Sequence, residues 1–87
     1  MEELSRAARA RAEVEAPIRE AHVRGDLTAA TTAALELYGD ELYRFLVATL
    51  ASETDAGDVS AELWELIWSS LPSLEWRSSF RTWAYVL

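Results

Sequence analysis

The chain has 87 residues, no cysteine, and 15 acids against eight arginines with no lysine, a formal net charge of −7. Disulfides and thiolate metal sites are therefore excluded, and a phosphate backbone is repelled at long range, so that any contact with nucleic acid has to be local. With 51% hydrophobic residues and four tryptophans, the composition is that of one small folded domain and not of a disordered chain.

The periodicity is helical throughout, and no stretch alternates apolar and polar residues as a strand does. Glu2 to Glu15 is rich in Ala, Arg and Glu, with high helix propensity but almost no apolar stripe. It reads as a solvated helix or a frayed tail, so residues 1–16 are set apart as an extension and 17–87 as the domain. Pro17 suits the first turn of a short helix over Ile18 to Arg24, which Gly25 and Asp26 stop. Asp26 is the expected N-cap of a long helix from about Thr28 to Leu50. Its apolar face is Leu35, Tyr38, Leu42, Phe45, Leu46 and Thr49, with Gly39 a place for a kink or split. After the loop "ASETDAGD", where Thr54 or Asp55 could cap, a third helix is expected from Asp55 to Leu71. Val59, Leu63, Leu66, Ile67 and Leu71 form its predicted buried stripe, with Asp58, Glu62 and Glu65 opposite. Pro72 ends it. Ser78 or Ser79 caps a last helix whose inward residues are Phe80, Trp83, Ala84 and Leu87. The predicted fold class is all-α, a small bundle of three to four helices.

Catalytic chemistry is hard to find. There is no glycine-rich phosphate loop and no nucleophile motif. The single histidine, His22, cannot build a histidine metal cluster and reads as a surface residue without a partner. Asp40 with Glu41, and Asp55 with Asp58, could do acid–base work, but caps and solvated faces use the same residues. The expectation is a binding protein with no enzyme activity, no cofactor, no metal and no small-molecule substrate. No apolar run approaches the ~20 residues that span a bilayer, and the N-terminus has no apolar signal segment, so a cytoplasmic protein without a membrane partner is expected.

Two patches remain as candidate sites. One is the acidic face of the third helix, Asp55, Asp58, Glu62 and Glu65 rimmed by Trp64, which is an interface or a plain solvated face. The other is Trp76, Arg77, Arg81 and Tyr85, where arginines suit phosphate and aromatic rings suit unpaired bases. There the plainer alternative is a Trp covering the core beside ordinary surface arginines.

The order of these features resembles the region-two domain of bacterial RNA polymerase sigma factors, most closely the extracytoplasmic-function group. The resemblance rests on "GD" at Gly25–Asp26, on Leu37, Tyr38 and Tyr43 in an aromatic helix, on "DAGDVSAELWELIW" from Asp55 to Trp68, and on "FRTWAY" from Phe80 to Tyr85. It covers about Ile18 to Leu87. It implies a transcription initiation factor domain that binds the clamp helices of the polymerase largest subunit and helps to open the promoter minus-ten element. The polymerase contact then falls on Asp55, Asp58, Val59, Glu62 and Glu65. Contacts to the non-template single strand fall on Leu74, Trp76, Arg77, Ser78, Ser79, Arg81 and Tyr85. An anti-sigma factor is a further partner of this kind of protein. The resemblance also implies a last helix that runs on through a basic stretch and a second DNA-binding domain. The chain is thus expected to be a piece of a longer protein or the product of a shortened gene. The competing expectation is a helical protein-interaction module that binds a regulator or self-associates.

Overall fold

The computed structural model describes residues 2–87, with side chains from residue 6 onward. The chain is all-α: α1 (Glu2–Val14), α2 (Ala16–Val23), α3 (Leu27–Leu50), α4 (Glu53–Ser70), a single 3-10 turn (Leu71–Ser73) and α5 (Phe80–Val86). The central helix α3 packs against both α2 and α4, and α1 packs against α2. The N-terminal extension is thus helical, with α2 beginning directly behind it.

Local chemistry sets the boundaries. Pro17 sits in the first turn of α2, where its missing N–H costs nothing. The chain reverses at Gly25, whose φ of 78° is open to glycine and strained for other residues. Asp26 then caps α3, its carboxylate accepting from the Ala29 N–H at 3.0 Å, as its position predicts. Helix α4 starts two residues earlier than the sequence suggests. Ser52, and not Thr54 or Asp55, is its cap and accepts from the Asp55 N–H at 3.2 Å. Glu53 and Asp55 then lie in the first turn, where negative charge is favoured. Ser79 caps α5, accepting from the Thr82 N–H at 3.1 Å.

Helix α3 runs unbroken through Gly39. A Cβ at that position would lie 3.0 Å from Leu35 Cδ1, a tight spot that a flexible leucine tip can relieve. The buried stripe of α3 is Ala30, Ala34, Tyr38 and Leu42, one residue every helical turn. Tyr38 and Leu42 match the expected face, whereas Leu35, Phe45 and Thr49 are exposed and Leu46 is half-buried. The alanines decide this outcome. With only a methyl at positions 30 and 34, the backbone of α2 comes close enough for Ile18 and Ala21 to be buried in the core.

Ile67, Leu71, Leu74, Phe80 and Ala84 complete that core. Phe80 and Ile18 are fully buried, each contributing about 2–3 kcal/mol of hydrophobic stabilisation. The stripe of α4 also differs from expectation. Ile67 and Leu71 are buried and Leu63 is half-buried, but Val59 and Leu66 remain exposed. Among the described residues, no helix is long and apolar enough to cross a membrane.

Candidate functional site

The exposed face of α4 carries the first candidate surface. Asp55, Asp58, Val59, Glu62 and Glu65 are all exposed, and their i, i+3, i+4, i+7 spacing places them on one face of the helix. Leu66, 43% exposed, continues the line. The four acids have no ion-pair partner among the described residues. The face is therefore an unneutralised acidic ridge with two apolar side chains along it. Trp68, 50% exposed, stands toward the C-terminal end of the same helix, whereas Trp64 is partly buried against the core.

The second candidate set divides. Leu74 is 6% exposed and packs in the core, so its side chain presents nothing to a ligand. Trp76, Arg77, Ser78 and Ser79 line a cleft of about 370 Å³, together with Arg11, Glu15 and Arg19 from the N-terminal helices. Arg81 and Tyr85 turn to the other side and meet Glu41 of α3. The Arg81 Nε–H donates to Glu41 Oε2 at 2.8 Å, and the Tyr85 hydroxyl donates to the same oxygen at 2.8 Å. Tyr85 also meets the Phe45 ring edge-on, 5.1 Å between centroids. Burial, and then the Glu41 bond, raise the Tyr85 phenol above its ordinary value. Glu41 is thus a tether for α5 and not a free carboxylate beside Asp40.

Two side chains that the sequence does not advertise tie these elements together. Glu15 is 2% exposed, at the junction of α1 and α2. Its carboxylate accepts from the Phe80 N–H at 2.7 Å, from the Arg81 N–H at 2.9 Å and from the Tyr38 hydroxyl. With Ser79 taking the Thr82 N–H, the open donors of the first turn of α5 are satisfied. The Arg11 guanidinium in turn donates to the Tyr38 hydroxyl at 3.1 Å. Burial, followed by the bond to Glu15, pushes the Tyr38 phenol up to about 12. Among the described residues no buried side-chain nitrogen or oxygen is left without a partner.

His22 is the other one. It is not an unpartnered surface residue. Its Nε2 lies 2.7 Å from the Leu71 carbonyl, and its Nδ1 accepts from the Trp76 indole N–H at 3.0 Å. A carbonyl only accepts and an indole N–H only donates, so the geometry selects the neutral tautomer with the proton on Nε2. This imidazole bolts the end of α4 to the loop that carries Trp76. Trp76 itself has a φ of 59°, a left-handed conformation that costs a bulky L-residue about 1–2 kcal/mol. Arg19 lies over its ring, 5.3 Å from the centroid.

Neither Glu15 nor His22 can be singled out from spacing. Their partners lie 65 and 54 residues away along the chain, and no local pattern encodes such pairs. Among the described residues no group of three His, Cys, Asp or Glu side chains could hold a metal ion. Comparison with protein-family models, with curated proteins and with solved structures found no match to the chain.

Proposed function

We propose that the chain is a transcription initiation factor domain of the sigma region-two type. It binds the clamp helices of the RNA polymerase largest subunit through α4 and helps to recognise and melt the promoter minus-ten element in the cytoplasm. The observation that carries this reading is the exposed ridge of α4, where Asp55, Asp58, Val59, Glu62 and Glu65 share one face. An unpaired acidic ridge with apolar side chains along it suits a basic, amphipathic helical partner, because charge complementarity steers encounter while apolar contact supplies affinity. The chain's net charge of −7 opposes DNA at long range, so that any strand contact is local. The test is retention of core polymerase on the immobilised protein, with Asp58→Arg as the paired variant. Retention by the wild type and its loss in a variant of unchanged helicity is the expected result. Equal retention by both excludes the α4 contact.

A second reading has its own observation. Phe45 (50% exposed) and Leu87 (42%) line a groove of about 180 Å³ with Leu42, Leu46, Val59 and Leu63. Exposed apolar surface of this kind marks an interaction site, which favours a helical interaction module that binds a regulator or self-associates. Concentration-dependent mass in sedimentation, abolished by Phe45→Glu, would support it over the first.

A further inference from the structure

His22 joins three elements and takes no part in the α4 contact. Its ring is carried by α2, its Nε2 meets the Leu71 carbonyl at the end of α4, and its Nδ1 accepts the Trp76 indole N–H from the loop of residues 74–79. The two rings also meet edge-on, 5.8 Å between centroids and 71° between planes. Trp76 depends on this hold, because its φ of 59° is a left-handed conformation that persists in a bulky residue only where the surroundings fix it.

Only a neutral imidazole makes both bonds. A protonated ring carries N–H on both nitrogens, so Nδ1–H would face the indole N–H, donor against donor, across the 3.0 Å now spanned by a hydrogen bond. The bond to Leu71 responds in the opposite sense. A charged donor strengthens it, and the C-terminal end of α4 favours a cation. Protonation therefore breaks the contact on the Trp76 side and keeps the one on the α4 side. Arg19 adds to this asymmetry. It lies over the Trp76 ring, 5.3 Å from the centroid, and one helical turn from His22, where a second positive charge is repelled.

The charges around the imidazole are otherwise committed. On α2, Glu20 and Arg24 each stand two residues from His22 and do not share its face. Asp26, one turn on, accepts from the Ala29 N–H as the cap of α3. Residues Leu27 to Leu35 of α3 carry no charge, and neither do Leu66 to Leu74 at the end of α4. From the side of α1, Arg11 donates to Tyr38, and Glu15 accepts from α5 and Tyr38. In the loop, Glu75 pairs with Arg77 at 2.8 Å.

We propose that His22 is a proton-operated latch. Neutral, it holds Trp76 and the loop of residues 74–79 against α2 and α4; protonated, it keeps Leu71 and releases Trp76. The loop then has two shapes, one at neutral pH and one on acidification, while the helices stay in place. The latch stands on these hydrogen bonds alone and holds whether or not the chain meets a polymerase.

The test is nuclear magnetic resonance of the whole chain from about pH 8 to about pH 5, across the ordinary range of imidazole titration. At the upper end, the N–H···N bond gives a scalar coupling between the Trp76 indole nitrogen and His22 Nδ1. The expected result is loss of that coupling as the His22 ring takes up its proton, with helical circular dichroism unchanged. The protection of the Trp76 indole N–H against hydrogen exchange falls about tenfold over the same interval, the worth of one hydrogen bond. His22→Gln is the control, because its amide donates to Leu71 and accepts from Trp76 without titrating, and its Trp76 signal stays fixed. Trp76→Phe lacks the indole donor. It identifies the Trp76 signal, and at about pH 8 its loop amides already sit where those of the wild type arrive only in acid. A coupling that is absent at the upper pH or survives protonation of His22, a Trp76 response equally large in His22→Gln, or helicity lost over the same interval overturns the proposal.

Discussion

A carboxylate buried at position 15 would cost several kcal/mol if left unpaired, and three donors meet it instead. Its removal strands those donors. Glu15→Ala is expected to lower the unfolding free energy by about 3 kcal/mol in urea titration, while a loss below about 0.5 kcal/mol would show that the site relaxes around water. Tyr38 extends the argument to pH. Its folded value is raised to about 12 against an ordinary 10. The folded state therefore holds a proton that the unfolded chain has lost. The stability from this source is complete below about pH 10 and drains away as pH rises toward about 12. Between about pH 9 and 11 the stability advantage of the wild type over Tyr38→Phe should shrink by about 1–2 kcal/mol. An advantage that stays constant would refute the assignment. Neither role is legible in the sequence. A Glu at the end of an Ala- and Arg-rich helix looks like every other solvated Glu until α5 is brought against it. The helical period places Tyr38 inward, correctly, but says nothing of the partners of its hydroxyl.

At the scale of elements, the sequence is informative wherever the determinant is local. Asp26 and Ser79 cap the helices that they precede, Pro17 opens α2, and the acidic face of α4 is exposed as its periodicity requires. Features that depend on which neighbour arrives are not legible in the same way. Leu35 and Phe45 have the hydrophobicity of core residues, yet Ala30 and Ala34 hold the buried stripe because close approach rewards small side chains there. Val59 and Leu66 share a face with acids and not with Ile67, which only the position of α3 against α4 decides. His22 looks idle in the sequence because its two partners come from the far end of α4 and the loop beyond it. One helix end invites a direct check. Ala51 closes α3 with a φ of 53°, where glycine is the preferred residue, and it is exposed. Ala51→Gly should stabilise the protein by about 1 kcal/mol in thermal or urea unfolding, and a destabilised variant would contradict the cap geometry.

Across the whole molecule, charge is sorted by face. Arg11, Arg19 and Arg77 gather at the cleft, and Asp55, Asp58, Glu62 and Glu65 stand on the exposed face of α4 with no ion-pair partner among the described residues. The two faces thus carry opposite charge within one small chain of net charge −7. The central claim is the protein contact, and it is tested most directly by calorimetric titration of the isolated polymerase clamp helices with the wild-type chain and with Asp58→Arg, circular dichroism confirming equal helicity. Saturable binding by the wild type, weakened at least about tenfold by the charge reversal, is the predicted result. A well-folded wild type that does not bind, or a variant that binds equally well, would contradict it.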